Sequence, residues 1–118
     1  VEFSESSEEI DQVIGACLSQ GDRPTAFFAV SDLAVLGIYK SAARLGLRIP
    51  QDISVIGYAD SSIYPYMSPP CSAVFSSATD LGRLSAELLL AQLGGEKPEN
   101  NHILFPPSLI ERESIRSI

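Results

Sequence analysis

The sequence predicts an α/β fold in which helices flank a parallel sheet in three layers. Residues 53–56 form a short, mostly β-branched apolar run that follows Pro50 and ends at Gly57, which is typical of a buried parallel strand. Helical and strand-like patterns also alternate along the chain, with short connections between them. This order favours right-handed crossovers and one parallel sheet.

The first part of the chain predicts a helix followed by a strand. Ser6 or Ser7 is a suitable N-cap, and two glutamates come next, where negative charge favours the helix dipole. Gly21 is expected to end this helix. Its apolar face carries Ile10, Val13, Ile14, Cys17 and Leu18. The run over residues 25–30 is apolar along nearly its whole length, which predicts a strand buried on both faces.

A second helix is predicted to begin at Ser31 and Asp32, one of which caps it, and to stop at Gly46. Gly37 is expected to allow the close approach of a neighbouring backbone. The apolar residues cover more than one face of this helix: Ala34, Val35, Leu36, Ile38, Tyr39, Ala42 and Leu45. Such a helix is expected to contact a further surface besides the sheet.

Residues 61–70 predict a loop, or a loop with a short helical turn, that requires a partner surface. Large apolar side chains stand here among prolines and serines, at Ile63, Tyr64, Tyr66 and Met67. Packing on its own domain is slightly favoured over a subunit interface, and both interpretations remain open.

The last third of the chain predicts further strands and one helix. Residues 72–75 form the third strand, and Thr79 or Asp80 caps a helix that ends at Leu93. Its apolar face carries Leu81, Leu84, Leu88 and Ala91. Residues 103–105 predict a short strand that two prolines end, and residues 109–110 begin another extended piece.

Composition restricts the classes of function. With 118 residues, 45% hydrophobic and 19% charged, the chain is expected to form one globular domain. The formal net charge is −7 and the few lysines and arginines form no cluster, so this chain is not expected to bind DNA directly. No apolar run is long enough for a membrane span, and the acidic start does not predict an export signal. Two widely spaced cysteines, Cys17 and Cys71, and the single histidine, His102, do not favour a metal site.

Polar residues follow each of the three predicted strands, and a ligand site is expected there. They are Ser31 and Asp32 after the first strand, Ala59 and Asp60 after the second, and Ser76 and Ser77 after the third. In a parallel sheet these exits share one edge, where ligands bind in open α/β folds. Asp32 and Asp60 could serve acid–base catalysis, but no histidine, phosphate-binding loop or nucleophile motif accompanies them. Binding is therefore favoured over catalysis.

Five segments of the chain resemble, in order, the sensor domain of LacI/GalR-type transcriptional repressors. They are residues 24–37, 45–58, 68–74, 80–90 and 109–114. The resemblance implies a periplasmic-binding-protein-like fold of type I and a cytoplasmic, homodimeric regulator that is not an enzyme and needs no cofactor. A small effector, a sugar or related metabolite, would bind between two subdomains. It would control operator binding by an N-terminal helix-turn-helix outside these residues.

The resemblance also implies roles for individual residues. Ligand contacts are expected at Ser31, Asp32, Asp60 and Ser76. A dimer interface is expected at Leu36, Tyr39, Tyr64, Tyr66 and Met67. The family commonly has Asp where Ala59 stands, so the ligand differs, or Asp60 takes over part of that role, or the site has drifted from the family's pattern. A hexose remains one candidate ligand.

The resemblance divides the chain between two subdomains. About residues 1–77 fall in the C-terminal subdomain, about 78–106 among elements of the N-terminal subdomain, and about 107–118 in the C-terminal subdomain again. The DNA-binding domain has no counterpart here, so the sequence is expected to be a fragment with exposed apolar surface. Two rival functions stay open: an extracytoplasmic sugar-binding protein of the same fold, and an enzyme on a flavodoxin-like sheet.

Overall fold

The computed structural model describes residues 7–58, 61–95 and 103–117, which form one four-stranded sheet and three helices. The helices are α1 (Ser7–Leu18), α2 (Asp32–Arg44) and α3 (Ala78–Leu93). The strands are β1 (Ala26–Ala29), β2 (Ser54–Tyr58), β3 (Ser72–Phe75) and β4 (Ser108–Ile110). A 3-10 turn, Tyr64–Tyr66, stands between β2 and β3. The predicted α/β class is confirmed.

The strands lie in the order β1-β2-β3-β4. The first three are parallel, and β4 runs antiparallel to β3. Gly57 is in register with Ala29 on one side and Ala73 on the other, so the carboxyl ends of the parallel strands meet at one edge. This edge is the one at which the sequence predicts the ligand site.

One face of the sheet and the helices α1 and α2 enclose the core. Its buried apolar residues are Ile10, Ile14, Leu18, Ala29, Ala34, Val35, Ile38, Ala42, Ile53, Val55, Tyr64, Cys71 and Ala73. Glycine at position 37 sets the separation of α1 and α2, because a Cβ there would lie 2.7 Å from Cγ2 of Ile10. The close neighbour predicted for Gly37 is therefore a side chain of α1 and not a backbone.

The C-terminal segment ties the centre of the sheet together. Ser114 is fully buried, and its Oγ donates to the carbonyl of Val55 at 2.5 Å and accepts from the amide of Ser72 at 2.7 Å. The amide of Val55 donates to the carbonyl of Ser114 at 2.9 Å. The Ser72 hydroxyl accepts in turn from the amide of Arg112 at 2.9 Å. One serine side chain thus bridges β2 and β3.

The prediction that the first strand is buried on both faces is wrong. Phe28 is 58% exposed and Val30 is 72% exposed. Within the described residues β1 pairs only with β2, and side chains alternate between two faces of which α1 and α2 cover one. The ring of Phe28 lies on the open face 6.5 Å from that of Tyr58, between centroids. The third layer of the predicted arrangement is not formed by the described residues on this side.

Two further predictions in the last third of the chain need correction. The N-cap of α3 is Ser77 and not Thr79 or Asp80, because the Ser77 hydroxyl accepts from the Asp80 amide at 3.1 Å. Residues 103–107 form no strand, and Leu104 is 93% exposed. No described strand lies beside them to complete the ladder, whereas Ser108–Ile110 pairs with β3.

None of the residues of α3 is buried. Its exposed leucines are Leu81, Leu89, Leu90 and Leu93. The helix is long, well capped and rich in leucine, yet the core formed by α1, α2 and the sheet does not cover it. We refer to α3 and residues 103–107 together as the arm, and to the remaining described residues as the body.

Candidate ligand-binding site

The carboxyl edge of the parallel strands carries three of the four predicted ligand residues. Ser31 and Asp32 follow β1, and Ser76 follows β3. Because β2 stands between these strands, their exits lie about 10 Å apart, twice the usual strand spacing. The fourth predicted residue, Asp60, lies outside the described residues, as does Ala59.

Ser31 caps α2 with its side chain and lies at the carboxyl edge of the sheet. It has extended dihedral angles and caps α2, with its Oγ accepting from the Ala34 amide at 3.2 Å. This confirms the predicted cap, which the sequence left open between Ser31 and Asp32. The residue is exposed. A hydroxyl that accepts one bond from the backbone can still donate its proton to a ligand oxygen.

Asp32 begins α2 and is half-buried. The helix dipole favours a negative charge at this position. One carboxylate oxygen, Oδ1, is buried and has no hydrogen-bond partner among the described residues. The Tyr64 hydroxyl is buried without such a partner as well. Burial first, and then the nearby Asp32 carboxylate, raise the pKa of Tyr64, although no hydrogen bond joins the two groups in the structure.

Ser76 stands between β3 and the cap of α3 and is half-buried. Its neighbour Ser77 is committed to the cap. Of the two serines after β3, Ser76 is therefore the one whose side chain the helix does not require.

Four of the five residues predicted for a dimer interface separate into two groups. Leu36 and Tyr66 are exposed, at 42% and 89%. Tyr39 and Met67 are half-buried and pack against the core, and the Tyr39 hydroxyl donates to the carbonyl of Pro69 at 3.0 Å. Burial raises the pKa of Tyr39.

Tyr64 does not fit the predicted interface, because it is 1% exposed and belongs to the core. It lies against Gly57, where an added Cβ would come within 2.5 Å of its hydroxyl oxygen. The sequence also missed Leu33, which is 49% exposed one turn before Leu36 on α2. The spacing of three residues between these leucines is the signal that could have identified an outward apolar stripe.

We also searched the part of the chain that the structure describes for a metal site, a disulfide and a membrane-spanning helix. There, no three or more His, Cys, Asp and Glu residues are grouped so that they could hold a metal ion. Cys17 and Cys71 are free thiols, the second fully buried. Among the described helices, none combines the length and the apolar character needed to cross a bilayer.

The fold and its polar edge define an α/β domain of the type that binds small ligands at the ends of parallel strands. Residues 2–115 match the family described as periplasmic binding protein-like domain. The chain belongs to this family, in the form that LacI/GalR-type transcriptional regulators carry.

Individual relatives agree with this assignment. The ribose operon repressor of Haemophilus influenzae is 38% identical over 105 residues, covering 89% of this chain and 32% of the repressor. A LacI family regulator from Bifidobacterium animalis subsp. lactis superposes with a TM-score of 0.89 at 32% identity, over 98% of this chain and 42% of that one. One from Enterococcus faecalis with bound ribose gives 0.79 at 31% identity, over 98% and 42%. The chain thus spans about a third of the length of the repressor that it matches.

Proposed function

We propose that this chain is the ligand-sensing and dimerising part of a LacI/GalR-type transcriptional regulator whose effector is a sugar or related metabolite. The observation that carries the proposal is the polar edge formed by Ser31, Asp32 and Ser76 on a fold whose Enterococcus faecalis relative holds ribose. Sugar hydroxyls both donate and accept hydrogen bonds. A carboxylate flanked by serine hydroxyls complements them.

The proposed mechanism is a shift between two arrangements of two subdomains. The body is the C-terminal subdomain, and the arm packs on an N-terminal subdomain formed by residues outside this sequence. The uncovered leucines of α3 support this division. A ligand held between the subdomains favours the arrangement that it binds more tightly, and only that difference in affinity drives the change.

The arm proposal is tested by Leu81→Glu in the full-length protein. Leu81 is already 47% exposed here, so the change costs little if α3 faces water. If the face is covered, burial of the charge lowers the melting temperature by several degrees. Unchanged stability contradicts the packing.

DNA contact is assigned to a helix-turn-helix outside these residues, and no catalysis or cofactor is assigned to the chain. The net charge of −7 supports this, since DNA-binding surfaces gain affinity from clustered lysine and arginine. A regulator that acts on DNA works in the cytoplasm, which is the location we propose.

The dimer surface that we propose is formed by Leu33, Leu36 and Tyr66, with Met67 and Tyr39 behind it. Leu36→Lys in the full-length protein is expected to shift its sedimentation from dimer toward monomer. A charge placed on an apolar contact loses its solvation there. Sedimentation of the wild type as a monomer contradicts this surface.

The ligand assignment is tested by calorimetric titration of the full-length protein with D-ribose. We expect saturable binding that Ser31→Gly weakens about tenfold, with little change in the melting temperature because glycine is nearly as good an N-cap as serine. Ser19→Gly is the control, since Ser19 lies beside Arg44 and Leu45 at the opposite end of α2. Absence of binding contradicts the ribose-like effector, and an export signal in the full-length protein favours a transport protein instead.

A further inference from the structure

The hydroxyl of Tyr64 lies just below the proposed ligand edge. Tyr64 stands in the 3-10 turn after β2, and its ring packs against Gly57 near the carboxyl end of that strand. Gly57 is in register with Ala29, and Asp32 follows Ala29 by three residues. The hydroxyl is therefore placed where β2 and the start of α2 meet.

Two buried oxygen atoms near this junction have no hydrogen-bond partner among the described residues. They are the Tyr64 hydroxyl and Oδ1 of Asp32, and neither has a hydrogen-bond partner among residues 7–58, 61–95 and 103–117. Tyr64 is 1% exposed, so water does not compensate its hydroxyl from outside. Native structures rarely leave such groups unpaired, because an unsatisfied buried donor or acceptor is costly.

Asp32 connects this interior position to the edge. The residue as a whole is half-buried although Oδ1 is buried. The Asp32 carboxylate also lies close enough to the Tyr64 hydroxyl to contribute to the raised pKa of that tyrosine, and the residue remains partly accessible at the edge where the effector is proposed to bind. An oriented carboxylate of this kind can accept two hydrogen bonds from a sugar or one from each side.

We propose that Tyr64 is a positioning residue of the ligand site, whose hydroxyl donates to Oδ1 of Asp32 when a ligand hydroxyl binds that carboxylate from the edge. This inference rests on the proposed function and adds a residue to its site. The ligand draws Asp32 into one orientation, and the new bond satisfies both buried atoms at once. Neutral tyrosine is the donor throughout the physiological range, since burial raises its pKa.

The same turn leads to the proposed dimer surface. The carbonyl of Tyr64 accepts from the amide of Cys71 at 2.9 Å, which anchors the turn to the start of β3. Two residues later Tyr66 is 89% exposed. A hydrogen bond that fixes Tyr64 therefore also fixes the base of a surface that we assign to the partner subunit.

The experiment compares Tyr64→Phe, Asp32→Ala and the double variant in the full-length protein, with D-ribose as the probe. Tyr64→Phe should weaken ribose binding about tenfold while leaving the melting temperature of the ligand-free protein unchanged or higher, because it removes an unpaired buried hydroxyl. In the Asp32→Ala background, which lacks the acceptor oxygen, Tyr64→Phe should have little further effect. Tyr58→Phe is the matched control, since that hydroxyl belongs to a side chain 44% exposed on the other face of the sheet.

The outcomes separate this inference from the proposed function. If the wild type binds ribose and Tyr64→Phe binds it equally well, the inference is wrong and the proposed function stands. A lower ligand-free melting temperature with unchanged affinity gives Tyr64 a structural role only and also overturns the inference. Equal losses from Tyr64→Phe in the wild-type and Asp32→Ala backgrounds overturn the pairing with Asp32. If the wild type does not bind ribose, the ribose-like effector fails and the inference fails with it.

Discussion

The body and the arm are built from similarly apolar sequence but differ in what covers them. In the body, Val55 and Ser114 are fully buried, and a glycine at each of two contacts sets how closely the elements approach. In the arm, a helix of sixteen residues with six leucines and three alanines has no buried residue. The apolar pattern of a helix therefore predicts which of its faces can pack against another element. Whether that face is buried depends on the presence of that element.

The largest effect should come from filling the closest contact of the body. In Gly57→Val the new Cβ would lie within 2.5 Å of Cε2 and the hydroxyl of Tyr64, so the buried ring must move. We expect a loss of about 3 kcal/mol of unfolding free energy, the upper range for overpacking. Denaturant titration of the full-length protein measures it.

The matched change in the arm is Gly82→Ala. No atom lies within 4 Å of a Cβ at Gly82, and alanine favours a helix over glycine by about 1 kcal/mol. This variant should be as stable as the wild type or more so. If Gly57→Val is as stable as Gly82→Ala, the packing of Tyr64 against β2 is wrong.

A smaller effect is expected where a hydrogen bond is removed and no atom is added. Ser114→Ala leaves the buried amide of Ser72 without its acceptor and removes one hydrogen bond to the Val55 carbonyl. We expect the free energy of unfolding to fall by about 1–3 kcal/mol. Ser85 of α3 also bonds a carbonyl, that of Leu81, but it is exposed. Ser85→Ala should therefore change stability by less than about 0.5 kcal/mol. Equal thermal stability of the two variants contradicts the bridge between β2 and β3.

The order of the elements could be predicted from the sequence because local signals specify it. Ser31 caps α2, and Gly46, with a φ of +68°, follows its end, as the sequence indicates. The strand exits on one edge also follow from a parallel order. These features depend on few neighbours along the chain.

Features that depend on distant surfaces could not be predicted in the same way. Burial of β1 on both faces requires covering elements, and the sequence of the strand alone does not show whether they are present. Tyr64 occurs in a segment with no periodicity, so its place against Gly57 was missed, and with it the two unpaired buried oxygens of Tyr64 and Asp32. A glycine at a strand end near a loop aromatic was the available signal.

The smallest effect is expected on the pH dependence of stability, for which we compare one acidic residue of the body with one of the arm. Asp52 accepts from the Arg48 side chain at 2.9 and 3.0 Å and from the Arg48 amide at 2.8 Å, and these bonds hold the pKa of its carboxyl below the ordinary value. The Ser77 hydroxyl, and then Arg83, lower the pKa of Asp80.

A carboxyl with a lowered pKa stabilises the fold above its unfolded pKa of about 3.9, and that contribution is lost as the pH falls through the folded value. Asp52→Asn should therefore flatten the fall in melting temperature between about pH 5 and pH 3, and Asp80→Asn should flatten it less. Both effects should be small, because the two groups are exposed to solvent and screened by salt. A larger change from Asp80→Asn would mean that the start of α3 is shielded in the full-length protein, which would shift the boundary between body and arm.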